Sequence, residues 1–184
     1  GNACDVPMAG MARDMGEFWV FGYGSLMWRP GFPFEERQKA RLTGFHRSLC
    51  IYSHVHRGTP ERPGLVFGLD RGGSCVGMAF RVTVEHREET IRYLRERELV
   101  TNVYRETEAP VRLLDGRLVR ALLYVVDRGH SQYAGRLSVD DAARHVAHSH
   151  GQSGPNVDYV RSALAEIRQL GLTDCWLEAV AARL

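Results

Sequence analysis

The chain has 184 residues, of which 44% are hydrophobic and 25% are charged. This length is typical of one domain, and the composition excludes collagen, a coiled coil and a disordered chain. The 24 basic and 22 acidic residues leave a net charge of +2, and Lys39 is the sole lysine. Because the arginines are spread along the chain among acidic residues, we attribute their excess to base composition and expect no nucleic-acid partner.

The sequence also predicts no membrane insertion or export. The apolar stretch over residues 18–28 contains glycines and a serine and is far shorter than the ~20 residues of a spanning helix. The N-terminal residues show no basic region followed by an apolar run. The cysteines are far apart in sequence and predict reduced thiols rather than disulfides. We therefore expect a cytoplasmic protein without a membrane partner. The cysteines are Cys4, Cys50, Cys75 and Cys175.

The first half of the chain is predicted to be rich in β-strands. Residues 1–16 are small and polar and predict a flexible tail, with one domain over residues 17–184. Apolar and alternating segments predict strands, and clusters of glycine and proline predict the loops between them. The six predicted strands are residues 17–24, 41–53, 65–69, 75–84, 109–114 and 118–126. The last two are joined by Asp115-Gly116, which is typical of a hairpin turn, and residues 71–73 predict another turn.

The predicted helices follow the strands, except for one highly charged helix over residues 85–99. In the second half, Ser138 and Asp174 occupy positions typical of helix N-caps. The predicted helices there are residues 138–149, 160–170 and 173–184, with a loop at 151–155. Strands followed by helices indicate the α+β class.

Glu98 is the one carboxylate of the first helix that the periodicity places on the apolar side. At about 100° per residue, Glu98 lies ~700° from Ile91, only ~20° short of two full turns, and Leu94 lies on the same side. Glu89 and Glu96 fall roughly opposite. A buried carboxylate has a raised pKa unless a cation compensates, which is how a glutamate becomes a proton carrier near neutral pH. The alternative is an ion pair with a neighbouring arginine, Arg95 or Arg97.

A glycine turn follows the first predicted strand in the segment F-G-Y-G-S-L-M-W. Two glycines around a tyrosine allow a sharp turn whose backbone N–H groups could hold an anion, although an ordinary strand-end turn fits equally well. The segment is a poor dinucleotide motif, because Met27 stands where the third glycine would be. Ser25 is not the nucleophile of a hydrolase elbow, because G-x-S-x-G is absent.

The segment F-G-Y-G-S-L-M-W-R-P-G-F resembles the N-terminal signature of the ChaC family of γ-glutamylcyclotransferases, of the bacterial, glutathione-specific type. The resemblance continues through G-F-H-R from Gly44, R-G-T-P-E-R-P-G-L-V from Arg57, Y-L-R-E-R-E-L-V-T-N-V-Y from Tyr93 and H-G-Q-S-G-P-N-V-D-Y from His150. These five blocks stand in the family's order over residues 17–180. One departure is Asn102-Val103, where some members have a Gly-Gly pair before the tyrosine that matches Tyr104.

The resemblance implies a γ-glutamylcyclotransferase-like α+β fold, with a mixed six-stranded β-barrel and flanking helices. It implies a carbon–nitrogen lyase that converts the γ-glutamyl group of glutathione to 5-oxoproline and releases Cys-Gly, without a cofactor. Matching residue by residue places the family's general acid/base on Glu98. The glycine turn is the expected substrate-binding segment. Its six residues are Gly22, Tyr23, Gly24, Ser25, Leu26 and Met27.

Alternatives remain for three features. His145, His148 and His150 could bind a metal or simply lie at a solvated helix end, and we favour the second. The loop from Arg57 could bind an anion through Arg57 and Arg62 or merely close a hairpin. The chain could also act on other γ-glutamyl amides or amines, or be a non-catalytic binding protein of the same fold.

Overall fold

A computed structural model of the chain describes residues 17–184, so the predicted tail lies outside the described residues. The described chain begins with strands and ends with helices. The strands are β1 (Glu17–Gly22), β2 (Glu36–Ser53), β3 (Gly64–Thr83), β4 (Tyr104–Leu113), β5 (Leu118–Val126), β6 (His150–Gly151) and β7 (Gly154–Pro155). The α-helices are α1 (Arg87–Glu98), α2 (Val139–Ala147), α3 (Asn156–Gln169) and α4 (Cys175–Ala181). Short 3₁₀ turns occupy Ser25–Met27 and Val84–His86.

Strands β1 to β5 form a closed mixed barrel in the order β1-β3-β2-β4-β5. Strand β1 runs antiparallel to β3, where Gly22 lies opposite Met78. It closes the barrel by running parallel to β5, with Val20 opposite Leu122. The predicted α+β class and mixed barrel are confirmed.

The barrel has five strands in the described chain, and the prediction of six is wrong because the two strands predicted over residues 65–84 are one. Strand β3 continues through Gly72 and Gly73 without reversing. Both glycines have positive φ, 102° and 68°, which is typical of a β-bulge as well as of a turn. The Gly72 carbonyl accepts a hydrogen bond from the His46 ring at 2.9 Å.

The described chain divides into two compact units. The first consists of the residues up to His46 together with Arg71–Val125, and the second of Arg47–Asp70 and Val126–Leu184. Each has its own apolar core, whose side chains are almost completely buried. In the first unit these side chains include Phe21, Met27, Leu42, Phe80, Leu94 and Leu123. In the second they include Leu49, Ile51, Leu65, Leu69, Ile167 and Leu177.

The second unit contains three of the helices, and both predicted N-caps are confirmed. The Ser138 hydroxyl accepts a hydrogen bond from the Asp141 N–H, and the Asp174 carboxylate accepts one from the Leu177 N–H. The predicted loop at 151–155 instead contributes to the small antiparallel pair β6 and β7.

Two expectations drawn from composition can be compared with the described chain. Over residues 17–184, no helix is long and apolar enough to cross a membrane. Within the described residues, Cys50, Cys75 and Cys175 form no disulfide; the first two are buried and the third is exposed. Cys4 lies outside the described residues.

Candidate active site at the glycine turn and Glu98

The glycine turn connects the end of β1 to residues 28–35 through a single 3₁₀ turn. The Met27 N–H donates to the Gly24 carbonyl at 2.9 Å, and the Arg29 N–H donates to the Ser25 carbonyl at 2.7 Å. Gly22 has no room for a side chain, because a Cβ there would lie 2.9 Å from the Cβ of Leu26. The turn can therefore close tightly only with glycine at this position.

The six predicted binding residues differ in what they could offer a ligand. The side chains of Tyr23, Leu26 and Met27 are buried in the first unit, at 8%, 5% and 0% exposure. Ser25 is exposed, and a Cβ on Gly24 would have nothing within 4 Å. Contact with a substrate would therefore come from the backbone around Gly24 and from the Ser25 hydroxyl, whereas the apolar side chains anchor the turn to the core.

Glu98 is the last residue of α1, and its side chain is only 16% exposed. The helix forms because residues 87–98 contain neither glycine nor proline. Leu94, one turn earlier, is completely buried, whereas Glu89 faces solvent with 76% of its side chain exposed. Burial raises the pKa of Glu98 above its ordinary value, and the nearby Arg97 charge opposes this rise. The predicted inward orientation is confirmed.

Arg97 lies between Glu98 and the glycine turn. Its Nη2 donates to the Ser25 hydroxyl at 2.6 Å, and its Nη1 donates to the Arg29 carbonyl at 2.7 Å and to the Tyr93 hydroxyl at 3.1 Å. Its Nε lies 3.6 Å from Glu98 Oε1. One guanidinium thus brings the predicted binding turn and the predicted proton carrier together. Of the two arginines considered as ion-pair partners of Glu98, Arg97 is the one that lies beside it.

Arg95 instead forms a two-point ion pair with Glu106 on β4, at 3.1 and 3.0 Å. This hydrogen-bonded arginine lowers the pKa of Glu106. The phenol of Tyr124 on β5 donates to Glu106 at 2.8 Å and is 2% exposed. Burial raises the pKa of Tyr124, and the charges of Glu106 and Glu98 raise it further. Tyr124 therefore interacts electrostatically with Glu98. Sequence reasoning missed it, because alternation along β5 places it on the same face as the exposed Arg120.

The segment after Glu98 departs from the family pattern at Asn102-Val103. Asn102 has φ of 58°, the left-handed conformation that glycine adopts most readily and that asparagine tolerates better than other residues. Val103 is buried, and Tyr104 begins β4. Asparagine thus supplies the backbone conformation for which a glycine is suited.

The loop from Arg57 belongs to the second unit, where Arg57 has structural contacts. Its Nη1 donates to the Pro155 carbonyl at 3.2 Å, and its guanidinium lies 5.6 Å from the centre of the Tyr159 ring. The backbone is closely packed, because a Cβ on Gly58 would lie 2.1 Å from the Gly64 nitrogen. These contacts favour the hairpin-closing interpretation for Arg57. Arg62 is exposed.

The three histidines considered as metal ligands lie in or beside α2. His145 and His148 line a cavity of about 500 Å³ in the second unit, and the His145 ring lies 3.4 Å from the Pro63 carbonyl. His150 is exposed on β6. Across residues 17–184, no three histidine, cysteine or carboxylate side chains are arranged to hold a metal ion.

Comparisons with known proteins identify the family of this chain. The family described as ChaC-like protein matches residues 18–183. The chain belongs to the ChaC family. The resemblance carried by the five sequence blocks is therefore confirmed.

Relatives named as γ-glutamylcyclotransferases align with most of this chain. A glutathione-specific γ-glutamylcyclotransferase of Escherichia coli is 36% identical over 161 residues, which are 88% of this chain and 70% of the relative. A glutathione-specific γ-glutamylcyclotransferase 1 of Danio rerio is 34% identical over 160 residues, covering 85% of this chain and 81% of the relative. Among solved structures, a glutathione-specific γ-glutamyl cyclotransferase from yeast aligns with a TM-score of 0.77 at 26% identity, covering 91% of this chain and 97% of that one.

Proposed function

We propose that this ChaC protein is a glutathione-specific γ-glutamylcyclotransferase, a carbon–nitrogen lyase that forms 5-oxoproline and releases Cys-Gly. The observation that carries the proposal is the Glu98 carboxylate, 16% exposed, which lies 3.6 Å from Nε of the same Arg97 that binds the glycine turn through Ser25. Relatives that share 36% and 34% identity with this chain over most of its length carry the same activity in their names.

The reaction asks the protein for positioning and for one proton carrier. The α-amine of the γ-glutamyl group attacks its own γ-carbonyl carbon, so the ring closure is intramolecular. Holding the two groups in attack geometry can be worth an effective concentration of about 10⁵–10⁸ M. The substrate carries its own nucleophile, and the proposal therefore includes neither a metal nor an organic cofactor.

Glu98 is the proposed general base and acid. It takes a proton from the substrate α-ammonium, after which the amine nitrogen forms a bond to the γ-carbon. The bond between that carbon and the cysteine nitrogen of Cys-Gly then breaks as Glu98 returns the proton to the departing nitrogen. The ring nitrogen releases its second proton to give the neutral lactam, and the Cys-Gly amine takes up a proton in turn. The raised pKa of Glu98 suits both steps, because a carboxylate of ordinary acidity would be a weak base toward an ammonium group.

The glycine turn is the proposed binding segment for the γ-glutamyl arm. The open space beside Gly24 and the exposed Ser25 hydroxyl support this role. Backbone N–H groups around Gly24 would hold a carboxylate or the carbonyl oxygen on which negative charge develops. The side chains of Leu26 and Met27 take part indirectly, by fixing the turn on the core.

Glu98→Gln tests the assignment of the proton carrier. The amide matches the carboxylate in shape but cannot take a proton, so kcat should fall by at least about 100-fold. Glu96→Gln is the matched control, because Glu96 lies on the exposed side of the same helix. Formation of 5-oxoproline from glutathione measures both variants. Near-native turnover by Glu98→Gln would overturn the proposal.

Substrate preference is tested with glutathione beside a panel of γ-glutamyl dipeptides and amines. Glutathione should give the highest kcat/KM, whereas turnover of the dipeptides without glutathione would assign the chain to other γ-glutamyl compounds. Binding of glutathione without 5-oxoproline formation would support the alternative of a non-catalytic binding protein. The presence of Glu98 argues against that alternative. The single domain over residues 17–184, the cytoplasmic location and the absence of nucleic-acid and membrane partners stay predictions.

A further inference from the structure

We infer that Arg97 is a positioning residue for the reaction, which holds the glycine turn and the Glu98 carboxylate in one fixed arrangement. The inference rests on the proposed function, because it gives Arg97 its role through Glu98. Neither the sequence periodicity nor the family resemblance assigned a functional role to Arg97.

The contacts of Arg97 use the geometry of a guanidinium rather than its charge alone. Nη2 donates to the Ser25 hydroxyl, and Nη1 donates to the Arg29 carbonyl and the Tyr93 hydroxyl. These contacts lie on the first residue of the 3₁₀ turn, on the segment that follows the turn and on α1 itself. Because the guanidinium is planar, fixing both Nη atoms also fixes the direction of Nε. Nε is the atom that faces Glu98.

A second arginine–glutamate pair, between the same helix and β4, has the opposite outcome. Arg95 donates two hydrogen bonds to the Glu106 carboxylate, and these lower the pKa of Glu106. Arg97 stands 3.6 Å from Glu98, beyond hydrogen-bond distance, and burial keeps the pKa of Glu98 raised. The Nη atoms of Arg97 donate to Ser25, Arg29 and Tyr93 instead. The carboxylate therefore remains basic while it has a nearby positive charge.

Two groups from different elements interact electrostatically with Glu98. Arg97, on the same helix, favours the ionised carboxylate, and Tyr124, on β5, is electrostatically coupled to it and donates its own proton to Glu106. The phenol of Tyr124 is neutral near neutral pH. The positive charge of Arg97 is therefore the effect that favours ionisation of Glu98, and burial is the effect that opposes it. Removing that charge should make the base harder to ionise, whereas breaking only the contact with the turn should not.

Four variants separate these effects in the 5-oxoproline assay. Arg97→Met removes both the charge and the branched set of N–H donors (the fork), so kcat/KM should fall about 10- to 100-fold. The acidic limb of the pH profile, where kcat/KM falls as Glu98 becomes protonated, should move to higher pH. Arg97→Lys keeps the charge but loses the fork, so kcat/KM should fall about 10-fold with the limb unmoved. Ser25→Ala should raise KM without moving the limb. Arg92→Met is the control, because Arg92 is exposed on the same helix and its loss changes the net charge equally.

The outcomes decide the inference separately from the proposed function. A pH profile of Arg97→Met that matches that of Arg92→Met would overturn the inference, even if Glu98→Gln is inactive. Turnover by Glu98→Gln would instead overturn the proposed function. Circular dichroism checks that each variant is folded. If Arg97→Met does not fold, Arg97→Lys decides, and wild-type kinetics in that variant would overturn the inference.

Discussion

Gly31 is a position where adding one methyl group should disturb both stability and the site. A Cβ on Gly31 would lie 2.1 Å from the hydroxyl oxygen and 2.6 Å from the ring carbon of Tyr93 that carries it. Gly31 also has φ of 75°, which side chains other than glycine adopt at a cost of about 1–2 kcal/mol. Tyr93 is half-buried and accepts a hydrogen bond from Arg97. The methyl group and the tyrosine cannot both keep their positions.

The expected destabilisation of Gly31→Ala is the sum of a backbone cost and a packing cost. Overpacking at a crowded site costs about 1–3 kcal/mol, so the total should be about 2–5 kcal/mol. Gly116→Ala is the matched control, because Gly116 also has positive φ, 95°, but a Cβ there would meet nothing within 4 Å. That variant should lose only the backbone cost of about 1–2 kcal/mol. Urea unfolding of both variants measures the difference.

A third variant tests whether Tyr93 is the residue with which the added methyl group of Gly31→Ala clashes. Tyr93→Phe removes the nearest atom, so in the double variant with Gly31→Ala the combined loss should be smaller than the sum of the single losses. Gly31→Ala should also lower kcat/KM, because a displaced Tyr93 no longer accepts from Arg97. Equal destabilisation by Gly31→Ala and Gly116→Ala would show that the described approach of Gly31 to Tyr93 is wrong.

Three further predictions concern stability. Because burial raises the pKa of Glu98 above 4.5, the folded state binds this proton more tightly than the unfolded state, and wild-type stability falls as the pH rises from 4.5 through the folded pKa. The stability advantage of Glu98→Gln over wild type, measured by urea unfolding, should therefore be larger at about pH 7.5 than at about pH 4. A smaller advantage at the higher pH would contradict this prediction. Asn102→Val should cost about 1–2 kcal/mol because of the left-handed backbone, whereas Asn102→Gly should change stability by only a few tenths, and similar losses would argue against that conformation. Ser138→Ala should lower the free energy of unfolding by about 1 kcal/mol through the lost N-cap, and Asp174→Ala should lower it more, because Asp174 also pairs at 3.2 Å with the buried Arg47. Thermal unfolding that ranks the two variants in the opposite order would contradict this prediction.

The inward position of Glu98 could be predicted because helical periodicity is a local property. Charged residues without glycine or proline define the helix, and rotation by about 100° per residue then places each side chain. Leu94 and Glu89 lie on the predicted sides. The buried Thr90 was missed, because a threonine among charged residues gives no apolar signal.

The number of strands could not be predicted in the same way. Gly72-Gly73 permits positive φ, and positive φ occurs both in a turn that reverses the chain and in a bulge that continues it. The choice depends on which strands lie alongside, and those partners are distant in sequence. The structure shows the bulge-like alternative, within a strand of 20 residues.

The role of Arg97 likewise depends on distant parts of the chain. Its partners Arg29 and Ser25 precede it by 68 and 72 residues. The sequence places Arg97 next to Glu98 and so predicts an ion pair, but it contains no local sign that both Nη atoms are directed elsewhere. The spacing of Tyr93 and Arg97, four residues apart on one helix face, is the one contact that a local pattern indicates.

The position of Glu98 at the last turn of α1 has a consequence for its strength as a base. The aligned peptide dipoles of a helix place roughly half a negative charge at its C-terminal end, where an anionic side chain is disfavoured by about 0.3–1 kcal/mol. Glu98 is the final residue of a helix of 12 residues. The helix therefore repels the negative charge of the carboxylate and increases its affinity for a proton. The helix backbone itself thus makes Glu98 a stronger base toward a substrate ammonium group bound beside it.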